Sequence, residues 1–254
     1  MAIPEKKISF DAEAVRRARV ELAAAYRLAV RFGFNEGIDN HFSLLLPGYD
    51  DRMLLNPYPL HWSEVTASNL LLVDLQGHET EGEHEVEPTA YHIHAAVHRA
   101  DPQCFRCALH THMPYATAIA CREGGRLEMV HQNSLKFRGR IAYLDDYNGL
   151  ALDDDEGTRI ARAMADNSVL FLANHGVITT GRTVAEAFHL LYFLERACKV
   201  QILAECGGRK TRLIPEPVAE RTAAQGENNL PEEAEHHFAA LLRILDREEP
   251  SYAS

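Results

Sequence analysis

Two histidines one residue apart, His110 and His112, close the run CALHTH at residues 107–112. On a strand, residues i and i+2 point to the same side, so this spacing sets two imidazoles side by side. At the mouth of a sheet they converge on one point, and Zn, Fe, Mn and Co all accept imidazole nitrogen there. The pair alone also fits a polar loop, with one ring solvated and the other bonded to backbone. A third histidine raises the metal reading. His175, in FLANHGVITTG, follows an apolar strand and precedes a glycine, which places it at a cleft rather than in a core. Three imidazoles with one coordination position left open are the arrangement expected of a catalytic metal.

The chain holds 14 histidines, so position matters more than number. His94 and His98 stand at i, i+4 in HAAVH, the spacing of a zincin helix, but the residue after the first histidine is Ala95 rather than the glutamate base of that motif. His84 and the pair His236–His237 sit among acidic residues and read as solvated. His41 and His61 lie near loop and turn signals and could line a pocket. Cys104 and Cys107 form a C-x-x-C without a second pair, a poor zinc signal.

The elements that must position these groups are legible along the chain. Residues 11–33 carry apolar positions at helical spacing and end at Gly33. HFSLLLP (41–47), NLLLVDLQG (69–77), CFRCALH (104–110) and SVLFLAN (168–174) read as strands, with HG a tight turn into a return strand VITTG. Pro88 suits the first position of a helix over 88–100, which Pro102 stops. Further helices are expected over 115–123, over 153–166 with acidic residues in its first turn, and over 183–208, where apolar residues are dense on more than one face. The segment RKTRLIPEPVAERTAAQGENNLPEE, with three prolines, reads as a linker or wrapping arm before a last helix at 231–245. Strands alternating with helices make the class α/β, with helices on both faces of a sheet.

Composition bounds the function. The 254 residues suffice for a large α/β domain, with 46% hydrophobic and 25% charged residues and a net charge of −11 spread along the chain. That balance argues against nucleic acid or an anionic membrane as the main partner and says little about a substrate. No apolar run approaches the roughly 20 residues that span a bilayer. The opening residues lack the apolar region of a signal peptide, and 5 cysteines are too sparse for a disulfide scaffold, so the expected compartment is the cytoplasm.

Taken in order, GIDNHFS (37–43), SEVTASNLLLVDLQG (63–77), HAAVHRADP (94–102), ALHTHMPYATAIA (108–120), DEGTRIA (155–161), LANHGVITTG (172–181) and VAEAFHLLYFLERACKVQ (184–201) resemble the class II aldolase/adducin head-domain superfamily, from about residue 15 to about residue 206. The resemblance implies a three-layer α/β/α sandwich with a central mixed sheet over residues 1–210. Residues 211–254 then form a C-terminal arm and helix, packed on the same domain or on a neighbouring subunit. It implies a C4 homotetramer with sites between subunits. By position it makes His110, His112 and His175 the ligands of a divalent transition metal, zinc first, with iron or manganese as alternatives. In such aldolases the metal chelates the substrate's carbonyl and adjacent hydroxyl oxygens and stabilises the enediolate, while a glutamate serves as acid/base.

The chain departs from the family pattern in two places. The glutamate position is Ala90, and Glu87 and Glu85 are the nearby carboxylates; Glu87 becomes the candidate acid/base, with Tyr115 a candidate proton donor. For Tyr143 and Tyr147 packing is the favoured role. The phosphate loops are also altered: NPYP (56–59) replaces a glycine-containing segment, while Asn40 and Ser43 remain from the first loop as candidate substrate-binding residues. Prolines remove the N–H donors that a phosphate site needs. The resulting expectation is a metal-dependent lyase that performs aldol-type cleavage or decarboxylation on a small, non-phosphorylated oxo- or hydroxy-acid. A non-haem iron oxygenase and a non-enzymatic adducin-like assembly module are the alternatives.

Overall fold

The computed structural model describes residues 11–76, 80–208, 210–227 and 229–254. Helix α1 (Ala12–Phe32) starts where Asp11 accepts the N–H groups of Glu13 and Ala14, and it stops at Gly33, whose φ of 71° is the left-handed turn that glycine takes without penalty. Strands β1 (His41–Leu45), β2 (Arg52–Leu55), β3 (Leu71–Asp74) and β4 (Thr80–Glu81) follow as an antiparallel set. The expected strand at 69–77 covers β3, and its closing Gly77 lies outside the described residues.

Helix α2 (Pro88–Ala100) has the predicted bounds, with Pro88 in its first turn. Strand β5 (Cys107–Thr111) leads into α3 (Pro114–Ala120). Strand β6 (Ile141–Leu144) lies outside the predicted elements. It is a short, half-buried edge strand and carries little pattern. Helix α4 (Asp154–Met164) opens on an Asp153 cap, and β7 (Val169–Leu172) turns into β8 (Gly176–Gly181). Helix α5 (Val184–Glu205) is followed by α6 (Glu216–Glu227) and α7 (Leu230–Glu248).

Helix α6 corrects the linker reading of 209–233. Two of its three prolines stand in first helical turns, Pro217 in α6 and Pro231 in α7, where the missing N–H has no intrahelical partner to lose, and Pro215 directly precedes α6.

The eight strands make one sheet in the order β4-β3-β2-β1-β5-β8-β7-β6. All its pairs are antiparallel except β6 with β7, so the sheet is mixed. One face packs on α1, α3, α5 and α7 through residues such as Phe42, Leu109 and Phe188. The other packs on α2 and α4 through Ala108, Ile178, Ile93 and Ile160. This is the expected α/β/α sandwich. Helix α5 is buried on several faces, as its sequence implied. Phe238, Leu241 and Leu245 of α7 join the same core. No helix among the described residues is long and apolar enough to cross a membrane.

Candidate metal centre

Strand alternation sorts the site residues. Phe42, Leu44 and Leu109 face the α5 layer, so His41, Ser43 and His110 face α2. His112 follows β5 by one residue and His175 ends the turn before β8, which pairs with β5 through Thr111↔Val177. The turn and the strand end meet, and the ligand atoms of His110, His112 and His175 all lie within 4.8 Å of one another.

Gly176 makes this approach possible. A Cβ there would stand 2.5 Å from the Thr111 carbonyl oxygen and 2.7 Å from Cδ2 of His112. Asn174, at φ 55°, supplies the left-handed residue that turns the chain toward His175, a conformation asparagine tolerates.

Each strand-end imidazole is oriented by a partner. His110 Nδ1 donates to the Val177 carbonyl at 3.0 Å, leaving Nε2 free. His112 Nδ1 donates to the Glu36 carboxylate at 2.5 Å. Its Nε2 is buried and has no hydrogen-bond partner. An orphaned, unprotonated nitrogen facing two other imidazoles suits a divalent metal, and partners on the far nitrogens are the usual way such ligands are held. Burial pushes the His175 pKa down to about 4, with a further push from His112, so the ring is neutral and able to bind. Burial also holds His110 well below its ordinary range. The residues therefore fit the metal that the resemblance implied.

Asn40, at φ 70°, accepts the backbone N–H of His112 at 3.2 Å and so braces the ligand strand. Ser43 departs from its expected place in a substrate loop: it is fully buried, with Oγ between His94 and His98. Glu87 caps α2, its Oε2 accepting from the Ala90 N–H at 2.7 Å and from Thr89 Oγ1 at 2.5 Å. Tyr115 opens α3, where its N–H donates to Glu195 at 2.9 Å and its ring lies beneath Lys199. Tyr143 packs on Phe171 as expected. Tyr147 does not pack: it is 53% exposed, with its ring 6.3 Å from that of His175.

Two residues escaped the sequence reading. Glu36 carried no signal because it partners a histidine 76 positions away. Glu195 is a buried carboxylate on α5 that accepts two N–H groups at the start of α3, and burial raises its pKa. The H-x-x-x-H of α2 is no zincin site: His94 and His98 are fully buried and bonded to Ser43. His236 is exposed as expected, but His237 is half-buried, its ring 5.3 Å from the buried His189. Cys104 is exposed and Cys107 buried in β5, so the C-x-x-C does not form a joint site.

Residues 20–202 match the family model described as Class II Aldolase and Adducin N-terminal domain. The chain is similar to a solved aldolase II superfamily protein from Pseudomonas syringae, with 34% identity, a TM-score of 0.89 and 98% of each chain covered. It is also similar to the L-fuculose 1-phosphate aldolase from Glaciozyma antarctica, with 28% identity, a TM-score of 0.82 and coverage of 97% and 96%. Alpha-adducin of Rattus norvegicus is 33% identical over 244 residues, which take in 90% of this chain and 33% of that protein.

Proposed function

The chain belongs to the family of class II aldolase and adducin N-terminal domains, and we propose that it is a divalent-metal-dependent carbon–carbon lyase acting on a small, non-phosphorylated oxo- or hydroxy-acid. The observation that carries this reading is the orphaned Nε2 of His112 among the gathered nitrogens of His110 and His175. A divalent cation held by these three supplies a Lewis acid that polarises a carbonyl and balances the charge of an enolate. The chain's own part is orientation. Val177 and Glu36 hold two of the rings in the tautomer that presents Nε2, and Asn40 braces the strand end between them.

Proton handling falls to Glu87 or Tyr147. Glu87 stands at the head of α2 with one carboxylate oxygen committed to the cap. Tyr147 is exposed beside His175. The altered loops support a substrate without phosphate, because Pro57 and Pro59 offer no N–H and Ser43 is turned into the core. Zinc is the proposed metal and the cytoplasm the proposed compartment. A homotetramer is the proposed assembly, supported by Leu150 and Leu152, large apolar side chains left exposed near Tyr147. A scaffold role like that of the adducin-type relatives is a second reading, favoured by Ala90 at the glutamate position.

The test is elemental analysis of protein purified without added metal, followed by a screen of oxo- and hydroxy-acids with and without a chelator. Stoichiometric zinc and a chelator-sensitive cleavage are expected. Absence of both a bound transition metal and any saturable activity in the metal-supplemented screen sinks the lyase reading and leaves the scaffold.

A further inference from the structure

A chain of hydrogen-bonded side chains runs from the metal centre into the core. His41 on β1 is paired directly with His110 on β5, and their rings lie 4.8 Å apart. His41 Nδ1 meets His94 Nε2 at 2.7 Å. His94 Nδ1 meets Ser43 Oγ. Ser43 Oγ meets His98 Nε2 at 2.6 Å, and His98 Nδ1 meets the Phe105 carbonyl oxygen at 2.6 Å. His94, His98 and Ser43 are fully buried, and His41 is 5% exposed.

The far end sets the direction of every bond. A carbonyl can only accept, so His98 Nδ1 carries the hydrogen. Burial keeps these rings neutral, and it pushes His98 down to about 4. Each ring therefore holds one N–H. His98 Nε2 accepts the Ser43 hydroxyl hydrogen. Ser43 Oγ, its own hydrogen spent, accepts from His94 Nδ1–H. His94 Nε2 in turn accepts from His41 Nδ1–H, and His41 Nε2 is left as a bare lone pair. That lone pair can take a hydrogen from a donor, and a ligand hydroxyl supplies one. His41 lies outside the set of gathered ligand atoms, so it neighbours the metal ligands without joining them.

We propose that His41 is a fixed hydrogen-bond acceptor in the metal centre, presenting its Nε2 to a hydroxyl of the substrate, and that His94, Ser43 and His98 are positioning residues that hold this tautomer. The proposal rests on the metal-lyase reading and narrows it to acids that carry a hydroxyl group. A site that hydrogen-bonds a substrate hydroxyl discriminates strongly against the analogue without one.

Two measurements test it. The first uses the protein labelled with 15N-histidine, in which two-bond 1H–15N spectra distinguish the tautomers. His41, His94 and His98 are expected with the proton on Nδ1. Ser43→Ala should release His41 and His94 toward the other tautomer, and Ser43→Thr should restore them. The second follows the visible spectrum of the cobalt-loaded protein during titration with lactate and with propionate. The wild type should prefer lactate, and His41→Phe should lose about tenfold of that preference, the worth of one hydrogen bond.

A proton on Nε2 of His41 overturns the proposal. So does a wild type without preference, or a His41→Phe variant that keeps it. If that variant does not fold, the wild-type spectrum and the Ser43 pair decide alone. The lyase reading fails separately if the cobalt protein prefers lactate through His41 yet cleaves or decarboxylates no acid in the screen.

Discussion

Two sets of imidazoles share the α2-facing side of the sheet and meet where His41 lies against His110. In the inner set, His94 and His98 have both nitrogens paired, and the set is closed off from water. In the outer set, His110 and His112 have one nitrogen each committed to the protein, and the unpartnered Nε2 of His112 lies among the gathered ligand atoms. The difference is not in residue type, nor is burial enough to explain it, since His110 is as buried as the inner rings while His112 and His175 are partly exposed. It lies in what the far nitrogen meets. Pairing both nitrogens makes a histidine a structural bridge, and anchoring only one leaves the other nitrogen available to a metal or a ligand.

The comparison breaks most readily at the outer set. His175→Ala should weaken metal binding by more than about 100-fold, beyond the range of outer partners, and elemental analysis after dialysis reads this directly. The matched change in the inner set, Ser43→Ala, should leave the metal stoichiometry intact. Retention of metal by His175→Ala means that the outer set is not a coordination sphere.

Acid should act on the inner set. The folded-state pKa of His98, about 4, lies below its ordinary 6.5. The unfolded chain therefore takes the proton first as pH falls. Stability is complete above pH 6.5 and declines from there toward pH 4, by on the order of 3 kcal/mol for this residue alone. Urea denaturation of metal-free protein at pH 7 and pH 4.5 measures it, and equal midpoints at the two values contradict the buried neutral assignment.

Gly176→Ala should cost about 1–3 kcal/mol, because its Cβ collides with the Thr111 backbone and the His112 ring. It should loosen the outer set more than the inner one, seen as a lower melting temperature together with weaker zinc binding. The smallest effect is expected at Cys104→Ser, an exposed thiol belonging to neither set. Its stability should change by less than about 0.5 kcal/mol with zinc binding unaltered, and a clear loss of metal would revive the C-x-x-C reading.

Much of this was readable along the chain. Pro88 and Pro102 bracketed α2, Asp153 opened α4, and His110 and His112 advertised themselves because a strand repeats every two residues. The glycine after His175 was a true signal, since only a residue without a side chain fits between Thr111 and His112. The prolines of α6 and α7 misled, because a proline that ends one element and a proline that opens the next look alike in one dimension. Ser43 misled for another reason. Its place in a loop motif did not reveal that β1 carries it to the inner face against α2.

Local sequence thus determined the helices other than α6, most of the strands and the three candidate ligands, because periodicity, capping residues and glycine act within a few positions. Only the tertiary structure separated the histidines gathered as candidate ligands from those that bridge elements. Glu36 reaches His112 across 76 residues, and Ser43 reaches His98 across 55. A hydrogen bond takes its direction from the group at its far end, and for these imidazoles that group comes from another element of the fold.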